Sequence, residues 1–201
     1  MLILSGGREV AHGNDRRVFI HPHYPDRCIK VARFPERGSY QNTREKRYFE
    51  GLGRRHLASW DNVSEYFGTV ETDLGEGLVF ALITDADGEI SQTLRQYRER
   101  AGTTWLAESI LSGEFQKLYR FLHQHWIVPS DINDRNVVCQ RRADGSLRFW
   151  LIDGVSNPDM LPLASIWPWF ARRKIDRRMK RFGKKLERYG FVFDSGLSAS
   201  G

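Results

Sequence analysis

The stretch from 125 to 154 constrains this chain more than any other, because it sets three oxygen-bearing side chains around a short loop and a hairpin. An acid, Asp131, stands five residues before an amide, Asn136. A second acid, Asp153, follows two strand-like apolar runs, 136–140 and 147–152, which predict a β-hairpin. A loop and hairpin of this kind can bring the three side chains to one rim, which is the start of a binding or catalytic site.

Size and composition place this hairpin in a small globular protein. The chain has 201 residues and a mass of 23.4 kDa, enough for one domain or for two small lobes that share an interface. The first residues lack the pattern of a signal peptide, and no apolar run reaches bilayer-spanning length, so we expect a cytoplasmic protein. Cys28 and Cys139 stand in apolar contexts without zinc-ligand spacing and are predicted to be buried thiols.

The positive charge is concentrated near the C-terminus. The formal net charge is +6, and the segment 171–188 carries ten basic residues against two acidic ones. A basic balance favours an acidic partner such as a nucleotide, a phosphorylated substrate, nucleic acid or anionic lipid. An apolar stripe, Ile175, Met179, Phe182 and Leu186, predicts one helix here. Its basic face is either solvated or docks on an anionic surface, and nothing makes a strong case for nucleic acid.

The first half reads as mainly β and the second half as mainly helical. The predicted strands are 2–4, 18–20, 27–34, 63–70 and 77–83, and the first two are expected to form a hairpin. The predicted helices are 39–52, 91–100 and 108–126. Asp85 and Asp87 lie between the halves without the later ligands of a calcium loop, so a linker is the better interpretation.

Lys30 and Glu45 admit two interpretations. Lys30 lies in a predicted strand, where a lone lysine is usually a solvated edge residue. Glu45 lies in the following predicted helix and, if it paired with the lysine, would orient it toward the phosphates of a nucleotide.

The chain resembles the protein-kinase-like superfamily, and more closely the small bacterial YrbL family, named for the PhoP regulatory network. The resemblance lies in the order and setting of Lys30, Glu45, Asp131, Asn136 and Asp153-Gly154. The resemblance runs from about Val10 to Arg181. Its segments are RRVFIHP, RCIKVAR, EKRYFEGL, GLVFALITDADG, SDINDRNVVCQ and LIDG. It implies an α+β fold of two lobes: a small antiparallel sheet with one helix, residues 1–84, and a reduced, mainly helical lobe, residues 85–190. Residues 191–201 are predicted to form a disordered tail.

The resemblance also implies an ATP-dependent phosphotransferase that uses Mg²⁺ and a hydroxyl-bearing acceptor: a sugar, a small molecule or a protein. Lys30 would reach the phosphates and Glu45 would hold Lys30. Asp131 would orient the acceptor and take its proton, while Asn136 and Asp153 would bind the metal. The other expected nucleotide contacts are Gly13, with Gly6 and Gly7 near the phosphates, and Phe80, Leu82 and Ile83 around the adenine.

The sequence departs from the usual kinase pattern at three places between residues 129 and 154. Pro129-Ser130 replaces His-Arg, Asn133 stands where many kinases have a lysine, and no Phe separates Asp153 from Gly154. Two other functions therefore stay open: a pseudokinase that binds nucleotide as a regulatory module, and a membrane-surface or nucleic-acid binder acting through the basic helix. A membrane role would place the protein at the periphery of the inner membrane.

Overall fold

The computed structural model describes residues 1–12, 15–54, 57, 59–101, 108–155 and 168–189. Gly13 and the predicted tail, 191–201, lie outside the described residues. The chain divides into two compact units, one of residues 1–60 with 64–84 and the other of residues 61–63 with the chain from 85 onward. Among the described helices, none is both long and apolar enough to cross a bilayer.

The first unit is a five-stranded antiparallel sheet with one helix. Its strands lie in the order β1-β2-β3-β5-β4, and α1 connects β3 to β4. Burial of the apolar β3 residues against Leu4, Phe19 and Val79 supplies the core of this unit. The elements are β1 (Glu9–His12), β2 (Arg16–Ile20), β3 (Arg27–Ala32), α1 (Pro35–Arg54), β4 (Tyr66–Thr72) and β5 (Gly75–Ala81).

The predicted first hairpin is wrong in its first strand. β2 pairs with β1, where Arg17 forms an ion pair with Glu9 at 2.6 Å, and not with the apolar run 2–4. That run instead lies beside the end of β4, where Leu2 forms an isolated bridge with Thr72 and Leu4 is buried. The apolar run does enter the core, as its hydrophobicity indicates. The strand that pairs with β2 is instead a more polar segment that lies nearer to β2 in sequence.

The second unit combines three short strands with three helices in its described part. Its sheet has the order β6-β7-β8, and the hairpin of β7 and β8 confirms the predicted strands to within one residue. The elements are β6 (Gln92–Thr93), α2 (Leu94–Ala101), α3 (Glu108–Gln124), β7 (Val137–Arg141), β8 (Leu147–Leu151) and the last helix, α4 (Pro168–Glu187).

The helix predicted from residue 91 begins three residues later, because Gln92 and Thr93 pair with β7. Thr93 then caps α2: its hydroxyl accepts a hydrogen bond from the backbone N–H of Gln96, and the Gln96 side chain accepts one from the Thr93 N–H. This reciprocal pair is a capping box, a motif that the sequence already contained.

Helix α4 packs on α3 through the apolar stripe predicted from the sequence. Ile175, Met179, Phe182 and Leu186 are all buried, and the Phe182 ring lies 5.9 Å from that of Phe115 on α3. The Tyr119 hydroxyl of α3 donates a hydrogen bond of 2.8 Å to Asp176 of α4, which fixes how the two helices are aligned. The basic helix is therefore an integral part of the second unit.

Asp85 is a structural residue at the start of the second unit. Its buried carboxylate accepts hydrogen bonds from the Ser91 hydroxyl and from the backbone and side chain of Arg141. Burial opposes its ionisation, but these hydrogen bonds and the Arg141 charge outweigh burial and lower the pKa of Asp85. Cys28 and Cys139 are buried free thiols, as predicted.

Candidate phosphoryl-transfer residues

The loop that carries Asp131 is fastened to Gly154. The backbone N–H groups of Ser130 and Asp131 both donate to the Gly154 carbonyl, at 2.6 and 3.2 Å, and the Ser130 hydroxyl donates to it at 2.9 Å. Gly154 has φ +73°, and a Cβ at this position would lie 2.2 Å from the Asp131 carbonyl oxygen. A close backbone approach of this kind admits only glycine.

Asn136 connects the same loop to the hairpin. Its side-chain Nδ2 donates to the Asp131 carbonyl at 2.8 Å, and its backbone carbonyl accepts a hydrogen bond from Ile152 at 2.9 Å. Asp131, Asn136 and Gly154 are therefore brought together, and Asp153 is adjacent to them in the chain. The Asp153 carboxylate is half-buried, and its Oδ1 accepts from the Gly154 N–H at 2.6 Å.

Asn136 and Asp153 fit the chemistry that Mg²⁺ requires. Because Nδ2 of Asn136 is used within the loop, its Oδ1 is the atom turned away, and no described residue donates to it. Mg²⁺ takes oxygen ligands, commonly one or two from the protein with the remainder from phosphates and water. Together with the Asp153 carboxylate, this amide oxygen meets that requirement. Among the described residues, His, Cys, Asp and Glu form no separate cluster able to hold a metal.

Lys30 and Glu45 form a buried ion pair in the first unit. Lys30 Nζ lies 3.6 Å from Glu45 Oε1, and the two side chains are 7% and 6% exposed. The lysine also lies over the Phe80 ring, 4.1 Å from its centroid, where the cation is favoured by the aromatic face. Strand β3 lies between β2 and β5, so the interpretation of Lys30 as a solvated edge residue is wrong.

Arg16 is a partner of this pair that sequence reasoning missed. Its guanidinium donates to Glu45 Oε2, so one buried carboxylate serves two cations. Arg16 lies opposite Ala32 across the β2–β3 ladder, and Ala32 is on the same face of β3 as Lys30. The strand register, which was not predicted, is the information that would have found it.

The three predicted adenine contacts occupy different settings in the first unit. Phe80 is buried among aromatic rings, 5.0 Å from Phe49 and 5.2 Å from Tyr66 between centroids. Leu82 is half-buried, and its N–H donates to the Asp26 carbonyl at 2.8 Å. Ile83 is buried. Their contact with adenine stays a prediction.

Asp134 is a second residue that the sequence undervalued. Its side chain is 3% exposed and lies 3.3 Å from Arg95 and 3.6 Å from Arg98 of α2, and 3.4 Å from Lys185 of α4. Burial opposes ionisation, but the charges and hydrogen bonds of Lys185 and Arg95 outweigh it and lower the pKa of Asp134. This carboxylate therefore ties the loop after Asp131 to two helices.

Comparison with known proteins now identifies the chain's relatives. The model of the PhoP regulatory network protein YrbL family matches residues 2–187. The chain belongs to the YrbL family. The YrbL proteins of Escherichia coli K12 and Shigella flexneri are each 33% identical over 185 residues, which cover 90% of this chain and 86% of the relatives.

Solved structures with a fold similar to that of this YrbL family member include a protein kinase domain. A crystal structure of the Mycobacterium tuberculosis PknI kinase domain aligns with a TM-score of 0.56 and 17% identity, covering 87% of this chain and 71% of that domain. A mutant of that domain gives the same TM-score and identity, with coverage of 88% and 72%. At this identity the likeness is one of fold, which is the expected α+β, protein-kinase-like fold with an antiparallel N-terminal sheet.

Proposed function

We propose that this YrbL family member binds ATP with Mg²⁺ and transfers the γ-phosphoryl group to a hydroxyl acceptor. The observation that carries the proposal is the hydrogen-bonded arrangement of Asp131, Asn136 and Gly154, which leaves the Asn136 amide oxygen for a metal, with Asp153 adjacent to Gly154 in the chain. The protein-kinase-like fold supports the proposal at a coarser level.

Each proposed role follows from the chemistry of the side chain. Mg²⁺ would neutralise the phosphates and be held by Asn136 and Asp153. Lys30, which is paired with Glu45, would bind phosphate oxygens of the nucleotide. Asp131 would orient the acceptor hydroxyl and take its proton. Because Asp131 is exposed, it is accessible to an acceptor.

Calorimetry with ATP, with and without Mg²⁺, tests the nucleotide site. The wild type should bind ATP only when Mg²⁺ is present, and Asp153→Ala should abolish this Mg²⁺-dependent binding. Asp87→Asn, which removes one exposed carboxylate outside the proposed site, is the matched control and should bind as the wild type does. Wild-type protein that binds no ATP with Mg²⁺ would refute the proposal.

A nucleotide-binding pseudokinase is the second candidate, and the state of Asn133 favours it. The Asn133 amide donates to Asp131 Oδ2 at 2.9 Å and occupies the position where many kinases place a lysine. A loop without that cation could bind Mg·ATP and transfer little phosphate. Binding without any phosphorylated product or released phosphate would select this candidate, whereas a stable phosphorylated product would exclude it.

A membrane-surface role for α4 is supported by the composition of its exposed face. Trp169 is 55% exposed, and Arg173, Arg177, Lys180 and Lys184 follow it along one exposed stripe. Aromatic rings and basic side chains on one helix face are suited to the interface of an anionic bilayer. This role concerns a different surface and is compatible with phosphoryl transfer.

A further inference from the structure

Arg178 is a basic residue of α4 that points away from the exposed stripe and reaches the catalytic loop. It is half-buried, and one terminal nitrogen of its guanidinium donates a hydrogen bond to the carbonyl of Ser130, the residue before Asp131. Within the described ranges, no carboxylate pairs with this guanidinium at ion-pair distance, whereas the neighbouring Lys185 is paired with Asp134.

A half-buried cation without a carboxylate partner is costly unless an anion completes its surroundings. Burial and the nearby Arg177 and Arg181 lower the pKa of Arg178, while Asp131 opposes that change, which places the two groups within electrostatic reach. The guanidinium has five N–H donors, and the Ser130 carbonyl takes one. Among the described residues, no other acceptor is seen for this guanidinium, and the remaining donors suit a bidentate anion such as a phosphoryl group.

The position of Arg178 is set by contacts on either side of it along α4. Two residues earlier, Asp176 is hydrogen-bonded to Tyr119 of α3, and seven residues later Lys185 pairs with Asp134 in the loop. A side chain between two such contacts is held on a rigid element, which is what a precise contact with a reacting group requires.

The loop itself lacks a lysine at the expected place. Asn133 occupies that position, and its side chain is used within the loop, donating to Asp131 and accepting from the Arg135 N–H. Arg135 is the other cation of the loop and is exposed. Arg178 is the better-fixed cation because its guanidinium is already bonded to the loop backbone.

We propose that Arg178 supplies from α4 the cation that stabilises the phosphoryl group during transfer at Asp131, an inference that rests on the proposed function. In that step the acceptor oxygen forms a bond to the γ-phosphorus while the bridging P–O bond breaks. ADP leaves with that electron pair, and the hydroxyl proton passes to the Asp131 carboxylate. Arg178 forms no covalent bond and offsets the charge on the phosphoryl oxygens.

The test compares Arg178→Met with Arg178→Lys and with the matched control Arg172→Met, an exposed arginine of the same helix that lies outside the exposed stripe. Phosphate release from Mg·ATP is measured together with the affinities for Mg·ATP and Mg·ADP. Arg178→Met should lower kcat by about 100-fold while Mg·ADP binding persists. Arg178→Lys should recover part of the rate, and Arg172→Met should match the wild type.

Every other outcome bears on the assignment. Wild-type rates in Arg178→Met would overturn it, as would a comparable fall in Arg135→Met without a fall in Arg178→Met. Loss of Mg·ADP binding in both Arg178 variants would show that the residue maintains the folded structure, and it would overturn the role in transfer.

If the wild type binds Mg·ATP but releases no phosphate, the transfer proposal fails separately. Arg178→Met should then lose the preference for Mg·ATP over Mg·ADP, and an unchanged preference would overturn the inference. Wild-type protein that binds neither nucleotide would overturn both proposals.

Discussion

Gly154 should be less replaceable than Gly145, the glycine in the turn between β7 and β8. Gly154→Ala adds a Cβ that meets the Asp131 carbonyl oxygen, whereas Gly145→Ala has a similar φ of +78° with nothing within 4 Å. Both variants bear the cost of a left-handed alanine, about 1 kcal/mol. Gly154→Ala should lose a further ~1–3 kcal/mol of unfolding free energy because the backbone must move. Urea denaturation of both variants measures the difference, and equal losses would contradict the close approach.

Glu45 should matter more to stability than Glu76, a more exposed acid that also forms an ion pair between the sheet and α1. Glu45→Gln removes the countercharge of Arg16 and Lys30, whose side chains are 14% and 7% exposed. An uncompensated buried cation is expensive, so we expect a loss of about 3 kcal/mol in unfolding free energy. The control is Glu76→Gln, which breaks a more exposed pair with Lys46 of α1 and should cost less than about 1 kcal/mol.

Measuring both the urea unfolding and the Mg·ATP affinity of the Glu45→Gln protein would separate folding from function. If Glu45→Gln unfolds at the same urea concentration as the wild type, the buried pair is not a stabilising feature. If it is folded but binds Mg·ATP weakly, its main effect is to orient Lys30. A wild-type affinity in a folded Glu45→Gln protein would contradict the role given to this pair.

At the scale of elements, Asp134 joins the loop after Asp131 to α2 and α4, and its contribution to stability should depend on pH. Its pKa in the folded state is lowered, so its stabilisation is present above the unfolded value of about 3.9 and is lost as pH falls below it. We expect Asp134→Asn to lose about 2 kcal/mol at pH 7. Relative to the wild type, that loss should shrink as the pH is lowered through 4.

Urea denaturation at several pH values measures this effect. Asp87→Asn removes an exposed carboxylate, 56% accessible, and should change stability by less than about 0.5 kcal/mol at any of them. A difference between the Asp134→Asn protein and the wild type that stays constant down to pH 3 would show that the asparagine is destabilising through its shape and not through the missing charge.

The elements differ in how far their sequences specified them. The β7–β8 hairpin and the apolar stripe of α4 were predicted because alternating and helical periodicities are local signals. Strand β1 was not, because a polar segment became a strand through pairing with β2. Lys30, Glu45 and Asp131 were singled out because their order and setting resemble those of protein-kinase-like proteins. Arg16 and Arg178 were not, since their contacts depend on strand register and on helix packing.

At the scale of the whole molecule, the positive charge of α4 divides between two uses. Lys185 and Arg178 face the second unit's own loop, where they contact Asp134 and Ser130. The exposed stripe of four basic residues begins at Trp169, whose ring lies under the Arg173 guanidinium at 4.4 Å. The net charge therefore does not describe one site, and the two faces can be tested separately.

The exposed stripe should bind anionic bilayers if α4 is a membrane-surface element. Each basic side chain near such a surface contributes about 1 kcal/mol, so Arg173→Gln, Arg177→Gln and Lys180→Gln together should weaken binding by roughly 100-fold. Sedimentation with vesicles of equal parts phosphatidylglycerol and phosphatidylcholine measures it. The matched control changes Lys117, Arg120 and Arg142 to Gln, which removes the same charge from exposed positions elsewhere in the second unit. Since the attraction is electrostatic, added salt should weaken it. Equal binding to vesicles of phosphatidylcholine alone, or equal losses in both triple variants, would mean that the stripe is a solvated helix face.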